Sequence, residues 1–258
     1  MKIISLAENT CKSGLYGTEH GLSLYIETEK HKILFDMGQS ELFCENAKKL
    51  GVRIEDVDIA ILSHGHYDHG GGLEKFLAVN NKSTVYISPY AFEPHYNSNK
   101  KFIGIDASLQ GSSRIAEVWH KTEIDDGITL YPAFLQKDIC NNATQGMFAR
   151  KSGEIVEDDF SHEQYLIIEE NGKRTLFSGC SHRGILNIVN WFEADYIIGG
   201  FHFSKYPADE SLKEYATILS KYPSFFYTCH CTGTCQYEYM KKYIKRLEYL
   251  STGDIIYI

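Results

Sequence analysis

The chain has 258 residues, of which 43% are hydrophobic and 23% are charged, and its formal net charge is -8 at pH 7. This composition is ordinary for a globular protein and allows one large α/β domain. The negative charge argues against nucleic-acid or membrane-surface partners, because no basic surplus exists to neutralise phosphates. No apolar run approaches membrane-spanning length. The seven cysteines are irregularly spaced, which predicts reduced thiols and a cytoplasmic location.

The first half of the chain predicts a strand, a hairpin, a helix and a buried strand. The N-terminal MKIISLAEN is typical of a strand, since its polar end interrupts any apolar signal sequence. Leu22–Gly38 (LSLYIETEKHKILFDMG) has two apolar strands around a charged turn. A helix is predicted for Glu41–Leu50, a buried strand for Val57–Leu62, and another helix for Gly71–Val79.

The second half loosely repeats this plan. Tyr165–Cys180 (YLIIEENGKRTLFSGC) is a second hairpin, followed by a helical stretch and a buried strand. Between the halves, Pro89–Asp159 lacks periodicity and predicts an irregular insert that covers the functional site. We expect a single domain over residues 1–258, with two β-rich halves packed face to face. The other predicted elements are helices at Ile185–Phe192, Ala208–Ser220 and Gln236–Leu250, and strands at Asp195–Ile198, Phe225–Tyr227 and Asp254–Ile258.

A dense group of polar side chains follows the buried strand of the first half. Ser63–Gly72 has the sequence SHGHYDHGGG, which places His64, His66, Asp68 and His69 within six residues. Buried polar groups need partners, and imidazole and carboxylate are the usual ligands of zinc-like cations. His64 and His66, two apart in extended backbone, point the same way and can hold one ion. Asp68 and His69 follow a turn and can hold a second ion, or the first from another side.

Histidines at other strand ends are candidates to complete such a site. His182 follows the second hairpin in FSGCSHRG, and His230 follows an apolar run in YTCHCTG. His162 opens a strand, and His202 follows one in GGFH. A lone histidine at a strand end is more often a hydrogen-bonded rim residue than a ligand, so the roles of His162 and His202 stay open.

The segment SHGHYDHGGG resembles the HxHxDH signature of the metallo-β-lactamase superfamily. The resemblance implies a four-layer αββα sandwich with two mixed β-sheets and outer helices. It also implies one or two divalent metal ions, zinc first, with manganese and iron as alternatives. His66 stands where a flavodiiron-type variant of the superfamily carries Glu, which favours hydrolase-like chemistry over redox chemistry.

Further segments resemble a narrower branch of this superfamily. They are EHGLSLYIE, ILFDMG, HEQYLIIE, GCSHRGI, GGFH and CHCTG. The branch is that of metal-dependent hydrolases of β-lactamase superfamily II, whose members are similar to an archaeal dihydropterin-linked ribofuranosylaminobenzene phosphate synthase. The resemblance spans nearly the whole chain and is weakest across Pro89–Asp159.

The resemblance implies two sets of metal ligands. They are His64, His66 and His182 for one ion, and Asp68, His69 and His230 for the second. Cys180 stands where the superfamily commonly has a bridging acid, and it is either a thiolate ligand, which favours zinc, or a small buried apolar residue. His182 could also take over the bridge. Asp36, which ends the strand in LFDMG, resembles a conserved acid and is expected to accept a hydrogen bond from an N–H of the metal loop.

Two neighbouring cysteines in CHCTG raise a competing possibility. Cys229 and Cys231 flank His230, and Cys235 is close, so a local Cys₃His zinc site is conceivable. In an extended chain, however, Cys229 and Cys231 would point opposite to His230. One face can serve the active site, but hardly both in one ion, so a local Cys₃His site is the weaker interpretation.

The metal ligands that the resemblance implies predict hydrolysis of an ester, thioester or phosphodiester substrate by a metal-activated water. Asp68 would also orient the nucleophile, and His162 and His202 would bind or protonate the leaving group. The expected partner is a small-molecule substrate.

Two alternatives stay open. One is a phosphoribosyl-type transferase like the archaeal synthase, in which aromatic residues of the insert stack on a planar acceptor. Those residues are Tyr90, Phe92, Tyr96 and Phe102. The other is a non-catalytic metal-binding scaffold or sensor.

Overall fold

The computed structural model describes residues 1–141 and 144–258. Within these ranges two seven-stranded sheets pack face to face, and a three-stranded sheet lies at one side. Helices cover the outer faces of both large sheets. No helix of the described ranges is long and apolar enough to cross a membrane.

The first half of the chain forms most of the first sheet. Its elements are β1 (Lys2–Ala7), β2 (Ser23–Glu27), β3 (Lys32–Phe35), α1 (Leu42–Lys49), β4 (Ile59–Ile61), α2 (Tyr67–Gly70), α3 (Leu73–Val79) and β5 (Thr84–Ile87). Strands β1, β2 and β3 are antiparallel, whereas β3, β4 and β5 are parallel. Helix α1 buries Phe43 and Ala47 and ends before Gly51, whose φ of +71° is the left-handed conformation common after helices.

The middle of the chain is more regular than predicted. Its strands are β6 (His95–Tyr96), β7 (Ile115–Glu117), β8 (Thr122–Asp125), β9 (Ile128–Pro132), β10 (Phe148–Lys151) and β11 (Glu154–Glu157). Strand β7 extends the first sheet, β8 and β9 form an edge of the second, and β6, β10 and β11 form the small sheet. Strands this short give little periodicity in the sequence. The predicted insert at 89–159 also contains residues 142 and 143, which lie outside the described residues.

The second half forms the rest of the second sheet. Its elements are β12 (Gln164–Glu170), β13 (Lys173–Phe177), α4 (Ile185–Trp191), β14 (Tyr196–Gly199), α5 (Glu210–Leu219), β15 (Phe225–Thr228), α6 (Thr234–Met240), β16 (Leu247–Tyr249) and β17 (Ile255–Tyr257). The β12–β13 hairpin turns at Asn171 and Gly172, both with positive φ, as a tight two-residue turn requires. Strand β17 returns to the first sheet beside β1.

The two large sheets share one topology. Their orders are β17-β1-β2-β3-β4-β5-β7 and β8-β9-β12-β13-β14-β15-β16. In each order the first three pairings are antiparallel and the last three are parallel. The predicted four-layer αββα sandwich is confirmed, and the loose sequence repeat corresponds to this shared plan.

The layers are held by three apolar cores. One lies between the sheets, where the rings of Phe35 and Phe177 are 5.9 Å apart. A second lies under α1 and α3, and a third under α4 and α5. Fully burying a Leu, Ile or Phe side chain stabilises the fold by about 1.5–3 kcal/mol. These cores fix the relative position of the two sheets.

The predicted helix Gln236–Leu250 is wrong in its second part. Helix α6 ends at Met240, and Leu247–Tyr249 instead forms β16, which pairs in parallel with β15. In β16, Leu247 and Tyr249 are buried whereas Glu248 is exposed. This two-residue alternation is too short to stand out from the helical pattern before it.

The carboxyl ends of the parallel strands meet where the two sheets face each other. Gln164 of the second sheet joins them, because its backbone N–H donates to the Ser63 carbonyl over 2.8 Å. Its side-chain amide donates to the Leu62 carbonyl, also over 2.8 Å. The loops that follow β3, β4, β13, β14 and β15 therefore surround one site.

Candidate metal centre

The loop after β4 carries the histidine-rich segment and is shaped by close backbone packing. His66 is extended and pairs with Gly104, and the Tyr67 N–H donates to the Ile103 carbonyl over 2.9 Å. The chain then turns into the short helix α2, which presents Asp68. The four candidate ligands of the segment, His64, His66, Asp68 and His69, are all buried. The segment Ile103–Gly104 thus holds the loop, and it is joined to the small sheet by the Ile103 N–H, which donates to the His95 carbonyl of β6 over 2.8 Å.

Gly65 is required by this packing. A Cβ at Gly65 would overlap the carbonyl oxygen of Ala91, a backbone atom with no freedom to move away. We expect Gly65→Ala to lower the free energy of unfolding by about 1–3 kcal/mol, the usual cost of overpacking. Gly111→Ala is the matched control, because open space surrounds its Cβ. Denaturant unfolding of both variants gives the comparison, and equal stability would contradict the packing argument.

The first cluster of donors contains three histidines. The ligand atoms of His64, His66 and His182 lie within 4.8 Å of one another, and His182 Nε2 is 3.3 Å from His64 Nε2. The Ser63 hydroxyl donates a hydrogen bond to Asp36 (2.7 Å), so its oxygen accepts one from His64 Nδ1 at 2.8 Å. This leaves a lone pair on His64 Nε2, directed into the cluster. His66 Nε2 is buried without a hydrogen-bond partner among the described residues.

Asp36 organises the base of the site. It has a φ of +61° and is fully buried at the end of β3. Its carboxylate accepts from the Ser63 N–H (2.7 Å), from the Ser63 hydroxyl and from His69 Nδ1 (2.6 Å). Through these bonds it orients both His64 and His69 with Nε2 toward the interior of the site.

The second cluster contains a carboxylate, two histidines and a thiol. The ligand atoms of Asp68, His69, Cys180 and His230 lie within 4.8 Å of one another. His69 Nε2 is 3.1 Å from Cys180 Sγ, and His230 Nε2 is 3.3 Å from an Asp68 oxygen. His230 Nδ1 donates to the Asn9 side-chain oxygen over 2.7 Å, so its Nε2 carries the lone pair.

Burial and neighbouring groups together set the ionisation of the two clusters. Burial lowers the pKa of His64, His66 and His182 well below the usual 6.5, and neighbouring imidazoles add to the effect. Neutral imidazole is the form that binds metal. Burial opposes ionisation of Asp68, but a hydrogen bond from His20 and the neighbouring imidazoles hold the pKa of Asp68 well below the usual range. Burial raises the pKa of the Cys180 thiol well above its ordinary value, so a cation would have to displace its proton.

His162 lies beside the first cluster but is oriented differently. Its Nδ1 accepts the Gly65 N–H over 3.0 Å, so the ring proton is on Nε2, which is 3.3 Å from an Asp158 oxygen. The same Asp158 oxygen is 2.9 Å from His95 Nδ1. Burial lowers the pKa of His162 to about 4. A further compact donor group contains His66, His95, Asp158 and His162. His162 has no free lone pair with which to bind a cation there.

His202 lies on the wall of a cavity of about 160 Å³ that opens onto both clusters. Its ring is 4.4 Å from the ring of His182, and the residue is half-buried. His66, Asp68 and Lys205 also line this cavity. A neighbouring cavity of about 200 Å³ shares His202 and Lys205. Of the two predicted leaving-group residues, His202 therefore lines the cavity, whereas His162 is buried behind it.

The aromatic residues predicted to stack on a planar acceptor line neither cavity. Tyr90 packs on Trp119 and Phe134, and Tyr96 packs on Phe102. Phe92 is buried in the core under the first sheet. Aromatic residues of the second half line the neighbouring cavity instead: Phe201, Phe203, Tyr206 and Tyr215.

Sequence reasoning missed two buried acids that hold the ligand loops. Glu163 accepts the N–H groups of His182 (2.8 Å) and Arg183 (3.1 Å). Glu8 accepts the N–H of His230 over 2.6 Å, at a backbone position with a φ of +49°. The sequence signal for both acids was a charged residue at the end of an apolar strand. An acid buried there needs hydrogen-bond donors such as backbone N–H groups.

Comparison with known proteins agrees with this architecture. The sequence model of the metallo-beta-lactamase superfamily matches residues 16–221. The chain therefore belongs to the metallo-β-lactamase superfamily, a metal-binding fold.

Three relatives illustrate the similarity. An uncharacterized protein of Methanocaldococcus jannaschii is 30% identical over 241 residues, covering 88% of this chain and 89% of its own length. The 7,8-dihydropterin-6-methyl-4-(beta-D-ribofuranosyl)-aminobenzene-5'-phosphate synthase of the same organism is 26% identical, covering 99% of this chain and 96% of its own. The crystal structure of Tm1679, described as a metal-dependent hydrolase of the beta-lactamase superfamily, has a TM-score of 0.85 and 28% identity. It covers 100% of this chain and 99% of Tm1679.

Proposed function

We propose that this protein is a metal-dependent hydrolase that acts on an ester, thioester or phosphodiester substrate. The observation that carries the proposal is the pair of buried donor clusters that share one cavity. Zinc is the cation that the donor set favours, because it combines imidazole, carboxylate and thiol. Manganese and iron are the alternatives.

The orientation of the donors supports a metal centre. His64, His66 and His182 would hold one ion, and Asp68, His69 and His230 the other, with Cys180 beside the second. The buried, unpartnered Nε2 atoms of His66 and His230 fit this assignment. When bound, a divalent cation supplies a Lewis acid that lowers the pKa of a coordinated water toward neutrality.

The chain's own groups supply the remaining chemistry. An Asp68 oxygen lies 3.3 Å from His20 Nε2, so His20 holds the carboxylate in a fixed position to orient a nucleophile. His202 lines both cavities and could bind or protonate a leaving group. Lys205, also on both walls, favours an anionic substrate, which points to phosphodiesters first.

The proposal is tested in two steps. Protein purified without chelator is analysed for metal, and chelated protein is reloaded with zinc, manganese or iron. Each loaded form is then assayed with nitrophenyl esters, thioesters and bis(nitrophenyl) phosphate. We expect stoichiometric metal and turnover that chelation abolishes. Substoichiometric metal after reloading would contradict the metal centre, and turnover no faster than free metal would favour a non-catalytic scaffold or sensor.

A matched pair of histidine variants tests the cavity wall. We expect His202→Gln to lower kcat by about 10²-fold or more at equal metal occupancy of the two donor clusters, since general acids typically contribute 10²–10⁴-fold. His120→Gln is the control, because His120 is exposed. Equal loss of activity in both variants would remove His202 from the proposed mechanism.

A transferase is the second candidate. The 26% identity to the archaeal synthase covers nearly the whole chain, and four aromatic residues line the neighbouring cavity. They could contact a planar acceptor. Incubation with phosphoribosyl pyrophosphate and an aminobenzoate distinguishes it: pyrophosphate release that requires the aminobenzoate, with no ester hydrolysis, would replace the hydrolase proposal.

A further inference from the structure

A third group of soft donors lies next to the second cluster. The ligand atoms of Cys180, His202 and Cys231 are within 4.8 Å of one another. Cys180 and Cys231 are only 2% and 4% exposed. His202 Nδ1 is buried and has no hydrogen-bond partner among the described residues. Two thiols and an imidazole converge at the wall of the cavity.

Cys231 reaches this position because the chain is not extended after β15. His230 has a φ of +49°, and His230–Thr232 forms a tight helical turn. The alternation expected of an extended chain therefore fails, and both His230 and Cys231 are directed to the site. The prediction that Cys231 points away from His230 is wrong for this reason. A local Cys₃His group is still not formed, since Cys235 is exposed and Cys229 belongs to the core between the sheets.

The surrounding backbone keeps Cys231 in place. The Phe201 N–H donates to the Thr232 hydroxyl over 2.8 Å, which ties the loop after β14 to the loop after β15. A Cβ at Gly200 would overlap Cys231 Sγ. Cys231 Sγ is 3.5 Å from the Cys180 carbonyl oxygen. The three donors thus come from three loops that are joined to one another.

We propose that Cys180, His202 and Cys231 form an additional cation position that selects soft divalent ions such as zinc and cadmium. Sulfur-rich donor sets prefer such ions over manganese or magnesium. Cys180 is shared with the second cluster, so its thiolate would either serve one position or bridge the two. His202 would serve the leaving group when this position is empty and the cation when it is occupied. The competing interpretation is that Cys231 only fills space, as buried cysteines often do.

Cobalt and cadmium binding separate these interpretations without any measurement of turnover. The background carries Cys11→Ser and Cys235→Ser, which removes two thiols that are half-buried or exposed. Apo protein is titrated anaerobically with Co²⁺, and the thiolate-to-cobalt charge-transfer absorption is recorded. Cadmium stoichiometry is measured by equilibrium dialysis. We expect Cys231→Ala to lose about half of the charge-transfer intensity, as loss of one of two thiolate ligands requires, and to bind less cadmium.

Cys229→Ala is the matched control, because Cys229 is a buried cysteine two residues away that belongs to none of the donor clusters formed by the described residues. It should keep the full absorption and stoichiometry. His202→Gln, at a half-buried position, should weaken cadmium binding by at least about 10-fold, the loss seen even for outer partners of ligands. This variant keeps the test open if Cys231→Ala does not fold. Unchanged absorption and cadmium binding in Cys231→Ala, or unchanged cadmium affinity in His202→Gln, would overturn the proposal.

Discussion

His182→Ala should lose metal from the first cluster, with affinity reduced by more than about 100-fold, because even the outer partners of ligands are worth 10–100-fold. Its Nε2 lies 3.3 Å from His64 Nε2, so truncation removes one of three donors. The fold should survive, since Glu163 binds the backbone N–H groups of His182 and Arg183 and not the imidazole. Metal analysis after dialysis, together with circular dichroism, measures both effects.

His162→Ala is the control for this experiment. His162 is equally buried and close to His66, but its Nδ1 is occupied by the Gly65 N–H. We expect it to retain more metal than His182→Ala. The opposite order would mean that His162 turns to offer a lone pair to the centre, and that the third histidine has been assigned to the wrong loop.

Asp36→Ala should both weaken metal binding and destabilise the protein. The variant leaves the Ser63 N–H and His69 Nδ1 without their acceptor in a fully buried position. Breaking a buried charged pair typically costs about 3–5 kcal/mol. Metal affinity should fall about 10–100-fold, because His64 and His69 are no longer oriented. Denaturant unfolding of the chelated protein and competition with a metal chelator measure the two effects separately.

The cost of Asp36→Ala should also depend on pH. Burial opposes protonation of His69, but the Asp36 carboxylate outweighs it and raises the pKa of His69 from 6.5 to about 9. Because the pKa of His69 is higher in the folded protein, the His69–Asp36 pair makes its full contribution to the free energy of unfolding below about pH 6.5. That contribution is lost as the pH rises through about 9. The difference between wild-type and variant should therefore shrink from pH 6.5 to 9. A difference that grew over this range would contradict the His69–Asp36 pair.

Ser63→Ala is the matched control for Asp36. It removes only the hydroxyl that joins Asp36 to His64, and leaves the His69–Asp36 contact of 2.6 Å unchanged. Its loss of stability should be about 1–3 kcal/mol, because the hydroxyl donates to Asp36 and accepts from His64, whose buried Nδ1–H is left without an acceptor. A cost as large as that of Asp36→Ala would show that the hydroxyl, and not the carboxylate, organises the site.

The fold could be predicted well from sequence because its signals are local. The hairpins at Leu22–Gly38 and Tyr165–Cys180 have apolar strands around polar turns, and the buried strand before Ser63 is continuous and β-branched. The repeated order of hairpin, helix and strand then specified two matching halves. Strands such as β6 and β16 were not predicted, because two or three residues carry too little periodicity. Their conformation depends on pairing with neighbouring strands.

The candidate site was predictable where its residues are close in sequence, as in His64–His69. It was less predictable where backbone conformation decides direction. The positive φ of His230 turns Cys231 toward the site, and no local pattern announces that angle. Likewise, His162 and His182 are both strand-end histidines in the sequence. The Gly65 N–H on His162 Nδ1 distinguishes them, and that contact spans 97 positions.

The donors of the second cluster are drawn from both sheets, with Asp68 and His69 from one half and Cys180 and His230 from the other. A cation held there acts as a cross-link between two halves that could otherwise separate. By thermodynamic linkage, the free energy of unfolding then depends on the metal concentration. A cation at 100 times its Kd adds about 2.7 kcal/mol to the free energy of unfolding. The melting temperature should accordingly rise with the free metal concentration. When metal is scarce, the protein should unfold more often and be degraded faster.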